Sequence, residues 1–145
     1  MGGHHRGMLP DWPSGTVTVL ATGGDAPHAI PVSAALRAGP AVALVGLART
    51  RESLARLRAE PRVALVVIAG GDLAFTAHGR ATVLDELVDG VVAVRLDVER
   101  VQRHGQPMFV IEDGVRWRWT DAAAADRDRE VRRALRALAD TLPPP

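Results

Sequence analysis

From Thr16 to Leu20 the chain alternates β-branched and apolar residues, and the run stops at Gly23, Gly24 and Asp25, which favour turns. This pattern predicts a first strand and a hairpin. A second strand follows from about His28 to Leu36, with Ile30, Val32 and Ala34 on one face. Gly39 and Pro40 then turn the chain into a third strand, Ala41 to Leu47. Over residues 50–60 the period changes. Thr50 is placed as an N-cap, Leu54 and Leu57 lie three apart on one face, and Pro61 ends the run, so a short amphipathic helix is expected after the third strand.

Val63 to Ala69 is continuously apolar and reads as a strand buried on both faces. A Gly70, Gly71, Asp72 turn leads into a long strand from Leu73 to about Leu84. Gly79, inside that strand, predicts a bulge or a close approach of another backbone. From Val91, the residues Val92, Val94, Leu96 and Val98 alternate with Ala93, Arg95, Asp97 and Glu99, a strand with one dry face. Phe109 to Trp119 reads as a further hairpin, with Gly114 at its tip and Trp117 and Trp119 on one side of the returning strand. A C-terminal helix is expected from Asp121 to Leu142, apolar at Val131, Leu135, Leu138 and Leu142. Strands arriving about every ten residues, interrupted by two helices, point to a mainly β barrel with antiparallel strands rather than to βαβ units.

Composition narrows the function. With 145 residues, 47% hydrophobic and 24% charged, one packed domain is expected: residues 1–15 as an N-terminal arm rich in Gly and Pro, and residues 16–145 as the domain proper. The absence of cysteine excludes disulfides and thiolate chemistry, and every Lys/Arg position is arginine, which excludes a Schiff-base lysine and a Walker-type phosphate lysine. A net charge of +1, with arginines interleaved among acids as in Asp126 to Glu130, gives no basic block for nucleic acid. No apolar run approaches the ~20 residues of a membrane span. Residues 1–13 lack the basic start and apolar stretch of a signal peptide, so a cytoplasmic location is expected. His4 and His5 have no carboxylate or thiol company, and no metal site is expected there.

Four blocks in series carry a resemblance: residues 25–32, containing His28, Ile30, Pro31 and Val32; the strand end Gly46 to Thr50; residues 57–65 at the close of the helix; and His78 to Val83. Together, over roughly residues 16–100, they resemble the flavin-binding split barrels of the pyridoxamine 5'-phosphate oxidase-like superfamily. The resemblance implies a six- or seven-stranded antiparallel split β-barrel. It also implies a homodimer holding FMN, or the deazaflavin F420, at the subunit interface, and hydride transfer to or from a small organic substrate. His28, Ile30, Pro31, Val32 and Ser33 would lie along the flavin ring, with backbone groups meeting its polar edge. Ala48, Arg49, Thr50 and Arg51, with Ser53 and Arg56 on the helix, would meet the phosphate. A helix N-terminus with unpaired N–H groups and arginine forks suits that role. Trp117 and Trp119 would wall the ring from the partner subunit.

For several residues a plainer reading stands beside this one. Arg49, Arg51 and Arg56 also fit the solvated face of an amphipathic helix. His28 fits a strand-start histidine, and the two tryptophans fit packing and a dimer contact. Ser53 stands where the family often has a lysine or arginine, and residues 115–120 lack the C-terminal arginine–histidine signature of the true oxidases. No catalytic acid–base pair is visible. Beside the oxidoreductase, a flavin-binding or storage protein without turnover and a cofactor-free module therefore remain open.

Overall fold

In the computed structural model, which describes residues 4–5, 8–105 and 108–143, eight strands and two helices follow one another. They are β1 (His4–His5), β2 (Thr18–Thr22), β3 (His28–Val32), β4 (Ala35–Gly39), β5 (Val42–Ala48), α1 (Glu52–Ala59), β6 (Arg62–Ala69), β7 (Leu73–Val88), β8 (Val91–Arg103) and α2 (Ala122–Asp140). Seven strands pair antiparallel in the order β3-β2-β6-β7-β8-β5-β4, and β1 adds to the far end of β8. One face of each strand in that path reaches a single core: Leu20, Ile30, Ala35, Val45, Leu65, Phe75 and Val94 all belong to it. A sheet whose strands all send one face into one core is rolled on itself. Its end strands β3 and β4 are not paired with each other, which leaves the barrel split.

The expected second strand is two strands. Ile30 and Val32 point into the core, but the next inward residue is Ala35 rather than Ala34. Ser33 and Ala34 shift the alternation by one, and Ala34 O accepts from Gly46 N at 2.8 Å. These two small residues carry the chain from one end of the sheet to the other, so α1 follows the next strand along. The expected hairpin at Phe109–Trp119 is absent as strands. The segment instead runs irregularly beside the β6–β7 turn, where Ile111 N donates to Asp72 Oδ1 at 2.7 Å. Met108, Val110 and Val115 are exposed, so the alternation there has no buried face and no ladder partner to hold a strand.

At β7–β8 the pairing shifts: His78 faces Arg100, Gly79 faces Val98, and Glu99 is the extra residue. This bulge reverses the parity of β8, whose inward residues are Val92, Val94 and Leu96 before it and Val101 after it. Without it, Arg100 would fall on the dry face.

Two features close the barrel. Leu54 and Leu57 of α1 enter the main core, together with Leu9 and Trp12 of the segment before β2. Along that segment the Gly and Pro residues conceal two core positions. On the outer side, α2 lays Val131, Leu135 and Ala139 against Leu44 and Ala93, a second core with β5 and β8. Gly46 permits that approach, since a Cβ there would lie 3.1 Å from Val131 Cγ1. Burying Val131 and Leu135 stabilises the docking by roughly 1.5–3 kcal/mol each. Among the described residues no helix is long and apolar enough to cross a membrane.

Candidate functional site

The turn into α1 gathers the first group of expected site residues. Ala48 ends β5 opposite Val91, and Arg49 N donates to Gly90 O at 2.8 Å, so this turn is zipped to the β7–β8 turn. Arg49 Nη1 lies 3.5 Å from Glu86 Oε1, in an exposed pair of little energetic weight. Thr50 and Arg51 are exposed. Arg51 is the N-cap residue, one position later than the Thr50 expected. It makes no side-chain capping bond, which leaves the first N–H groups of α1 for another acceptor. Its guanidinium has no partner among the described residues. Ser53 is fully buried, and its Oγ finds no hydrogen-bond partner. An orphaned hydroxyl under the first turn costs stability.

Arg56 is occupied differently. Its Nε donates to Glu52 Oε2 at 2.6 Å, and its Nη1 donates to Ala26 O at 2.8 Å and Gly23 O at 3.3 Å. Glu52 Oε2 also lies 3.5 Å from His28 Nδ1. His28, Glu52 and Arg56 thus fasten the β2–β3 hairpin to α1. The Arg56 hydrogen bond and charge, followed by the charge of His28, hold the Glu52 carboxyl below its ordinary value of 4.5. A carboxylate with a lowered folded pKa contributes stability in full above its unfolded value, and loses it as pH falls through the folded one. Thermal melts of the wild type and Glu52→Gln should therefore differ at about pH 5 and converge towards about pH 3. A gap that stays constant over that range would show that the charge of Glu52 is not what holds the hairpin.

Along β3 the side chains divide. Ile30 and Val32 are core residues, whereas Ala29 and Pro31 face outward. Any ligand on this strand would meet its backbone and Pro31 rather than Ile30 or Val32. β3 ends the sheet, so one backbone edge is unpaired, and Pro31 suits an edge because it has no N–H to offer a ladder. Beside it on the outer face lie Val19 and Val66, in register with Pro31 and Val19 respectively. Val19 and Ile68 are exposed apolar side chains there.

Trp117 and Trp119 do meet, although no strand holds them: their rings pack edge-on with centroids 5.3 Å apart. Trp117 Nε1 donates to Gly15 O at 3.0 Å, and the Arg132 guanidinium carbon lies 5.7 Å from the Trp117 ring centre. The pair borders a cavity at Arg132, away from the turn into α1. Ser33 borders a second cavity, also at Arg132.

Sequence reasoning passed over two further groups. One is Arg132, Arg133 and Arg136 on α2, whose signal was three arginines at i, i+1 and i+4 with no acid between them. The other is a polar patch on the outer face. There Thr76 Oγ1 lies 2.7 Å from His104 Nε2, and His78 Nε2 lies 3.2 Å from Gln102 Oε1. No group of His, Cys, Asp or Glu among the described residues is disposed to hold a metal ion. The side chains of His4 and His5 lie outside the described residues.

No protein-family model matches the chain, and no curated protein matches it. Solved structures do. The chain is similar to a candidate pyridoxamine 5'-phosphate oxidase of Lactobacillus delbrueckii, with a TM-score of 0.53 and 19% identity over 59% of this chain and 83% of that one. It is similar to an FAD-binding protein of Mesorhizobium loti, with a TM-score of 0.51 and 19% identity over 60% and 83%. An NADH:FAD oxidoreductase of Streptomyces globisporus gives 0.52 and 15% over 61% and 75%. At these identities the likeness is one of fold: the chain has the split-barrel fold of the pyridoxamine 5'-phosphate oxidase-like proteins.

Proposed function

We propose that this split barrel is a cytoplasmic, homodimeric oxidoreductase that holds FMN, or the deazaflavin F420, and passes a hydride between it and a small organic substrate. The observation that carries the reading is the start of α1. An uncapped helix N-terminus stands beside an exposed arginine, Arg51, that has no partner among the described residues, on a fold shared with flavin-binding proteins. Arg51, Thr50 and Arg49 would hold the phosphate together with the free N–H groups of α1. The unpaired edge of β3 would offer backbone donors and acceptors to the ring. The flavin, when bound, supplies the hydride chemistry. The protein's share is to bind, orient and exclude water. A second copy covering Val19, Pro31 and Ile68 would do the last of these and bury an exposed apolar face.

One observation favours the second reading, a flavin carrier without turnover or a cofactor-free module. Ser53 is buried and uncharged, and Arg56 is spent on the hairpin, so the phosphate set shrinks to Arg49, Thr50 and Arg51. Titration of the purified chain with FMN and, separately, with F420, with its mass in solution measured alongside, tests the first reading. Binding of one of them to a dimer, and reduction of the bound cofactor by NAD(P)H or by a reduced F420 system, is expected. Binding without reduction supports the carrier, and binding of neither supports the cofactor-free module.

A further inference from the structure

Helix α2 distributes its charges unevenly. Towards its start, arginines have acids within reach: Arg127 with Glu130, Arg129 with Asp126, and Arg132 with Asp128. Further along, Arg133 and Arg136 are exposed and have no carboxylate partner among the described residues. Arg132 and Arg136 stand four residues apart and Arg133 and Arg136 three apart, spacings at which like charges destabilise a helix.

These three arginines line a cavity of about 320 Å³ between α2, the start of β4 and the segment before β2. Leu36 and Leu135 supply apolar wall, as does the indole of Trp12, which is fixed by donating from Nε1 to Ala35 O at 3.0 Å. Asp11 is the one acidic lining residue, and its Oδ1 already accepts from Trp12 N at 2.9 Å. Arg132 is held in place before any ligand arrives: Nη1 donates to Ser14 Oγ at 3.2 Å, and Trp117 packs beside the guanidinium. Its Nε lies 3.0 Å from Asp128 Oδ2, yet this buried N–H makes no well-directed hydrogen bond.

Arg132 is already paired with Asp128, but Arg133 and Arg136 bring two guanidinium groups without carboxylate partners among the described residues, which select an anion, and the planar fork of arginine matches a carboxylate. The apolar wall selects a body that gains from leaving water. A cavity of about 320 Å³ is at the small end of the ligand-pocket range, about 300 Å³ and upward, and matches a small molecule. An ordinary solvated arginine face would not have a pinned indole lining the same cavity. We infer that this cavity binds a small organic carboxylate. Arg133 and Arg136, with Arg132, hold the acid group, and Trp12 and Leu36 cover the body. The site stands independently of whether a flavin binds at α1.

The three tryptophans of the chain border this cavity or its neighbour across Arg132, so their fluorescence reports binding. Benzoate is expected to change that fluorescence saturably. Neutral benzamide, of the same shape, is expected to bind at least about tenfold more weakly, as is benzoate to the Arg133→Gln/Arg136→Gln double variant. Both side chains are exposed and repel a neighbouring arginine, so the variant should melt no lower than the wild type. The assignment is overturned if benzoate shows no saturable binding, if benzamide binds equally well, or if the double variant titrates like the wild type. Competition by inorganic phosphate at the affinity of benzoate would also overturn it, since a bare anion uses none of the apolar wall.

Discussion

Gly79→Ala should lower the melting temperature by roughly 10 °C, the loss of about 3 kcal/mol in a chain of this size. A Cβ at this position would lie 2.0 Å from Asp97 O, 2.9 Å from its carbonyl carbon and 3.0 Å from Val98 Cα. All three are backbone atoms of the neighbouring strand, so no side chain can swing aside to make room. Relief requires β7 and β8 to separate where the bulge sits, and that costs ladder bonds as well as packing. The same bulge sets the parity of β8, so loosening it also weakens the hold on Val101 beyond it. Gly71→Ala serves as the control for clash, because a Cβ there would meet nothing within 4 Å and only the positive φ of 75° resists it. Its cost should be near 1 kcal/mol. Thermal melts of the two variants decide the matter: equal losses would mean that the close approach at Gly79 relaxes without strain.

Gly79 was legible in the sequence because a glycine amid Ala77, Arg80 and Thr82 breaks a strand that otherwise needs no break. Most of the barrel was legible for a related reason. Strands with one wet and one dry face write their period into the chain, as Val92, Val94 and Leu96 do. The break at Ser33–Ala34 was not, because a single serine without Gly or Pro beside it is a weak turn signal and the shift in parity shows only in which neighbours are buried. Leu9 and Trp12 were hidden for the opposite reason: glycines and prolines around them signal irregular backbone, and irregular backbone can still deliver side chains to a core. At Phe109–Trp119 the alternation was present, but a strand also needs a partner edge, which local sequence does not encode. Of the candidate site, the turn from Ala48 to Arg51 is exposed, as the break between the strand and helix periods suggests. The burial of Ser53, the capture of Arg56 by the hairpin and the arginine cavity on α2 depend on tertiary contacts between distant segments.

The double variant Arg49→Ala/Arg51→Ala should weaken FMN binding about a hundredfold, since each charged hydrogen bond to phosphate is worth about 1.5–3 kcal/mol. The two residues should contribute unequally. Arg51 is exposed with no partner among the described residues, so its donors are available to a ligand in full. Arg49 must share its guanidinium with Glu86, 3.5 Å away, and its removal should cost the smaller part. Riboflavin separates this effect from a loss of fold, because it carries the same ring as FMN without the phosphate. Wild-type protein should prefer FMN to riboflavin, and the double variant should bind the two alike. Added salt should erode the preference in the wild type and leave riboflavin unaffected, as expected for an exposed charge pair. Arg56→Ala makes the contrast. Its Nε and Nη1 are engaged by Glu52, Gly23 and Ala26, so its loss should loosen the β2–β3 hairpin and weaken FMN and riboflavin by the same factor. An unchanged preference for FMN in the Arg49/Arg51 double variant would remove the phosphate from the start of α1.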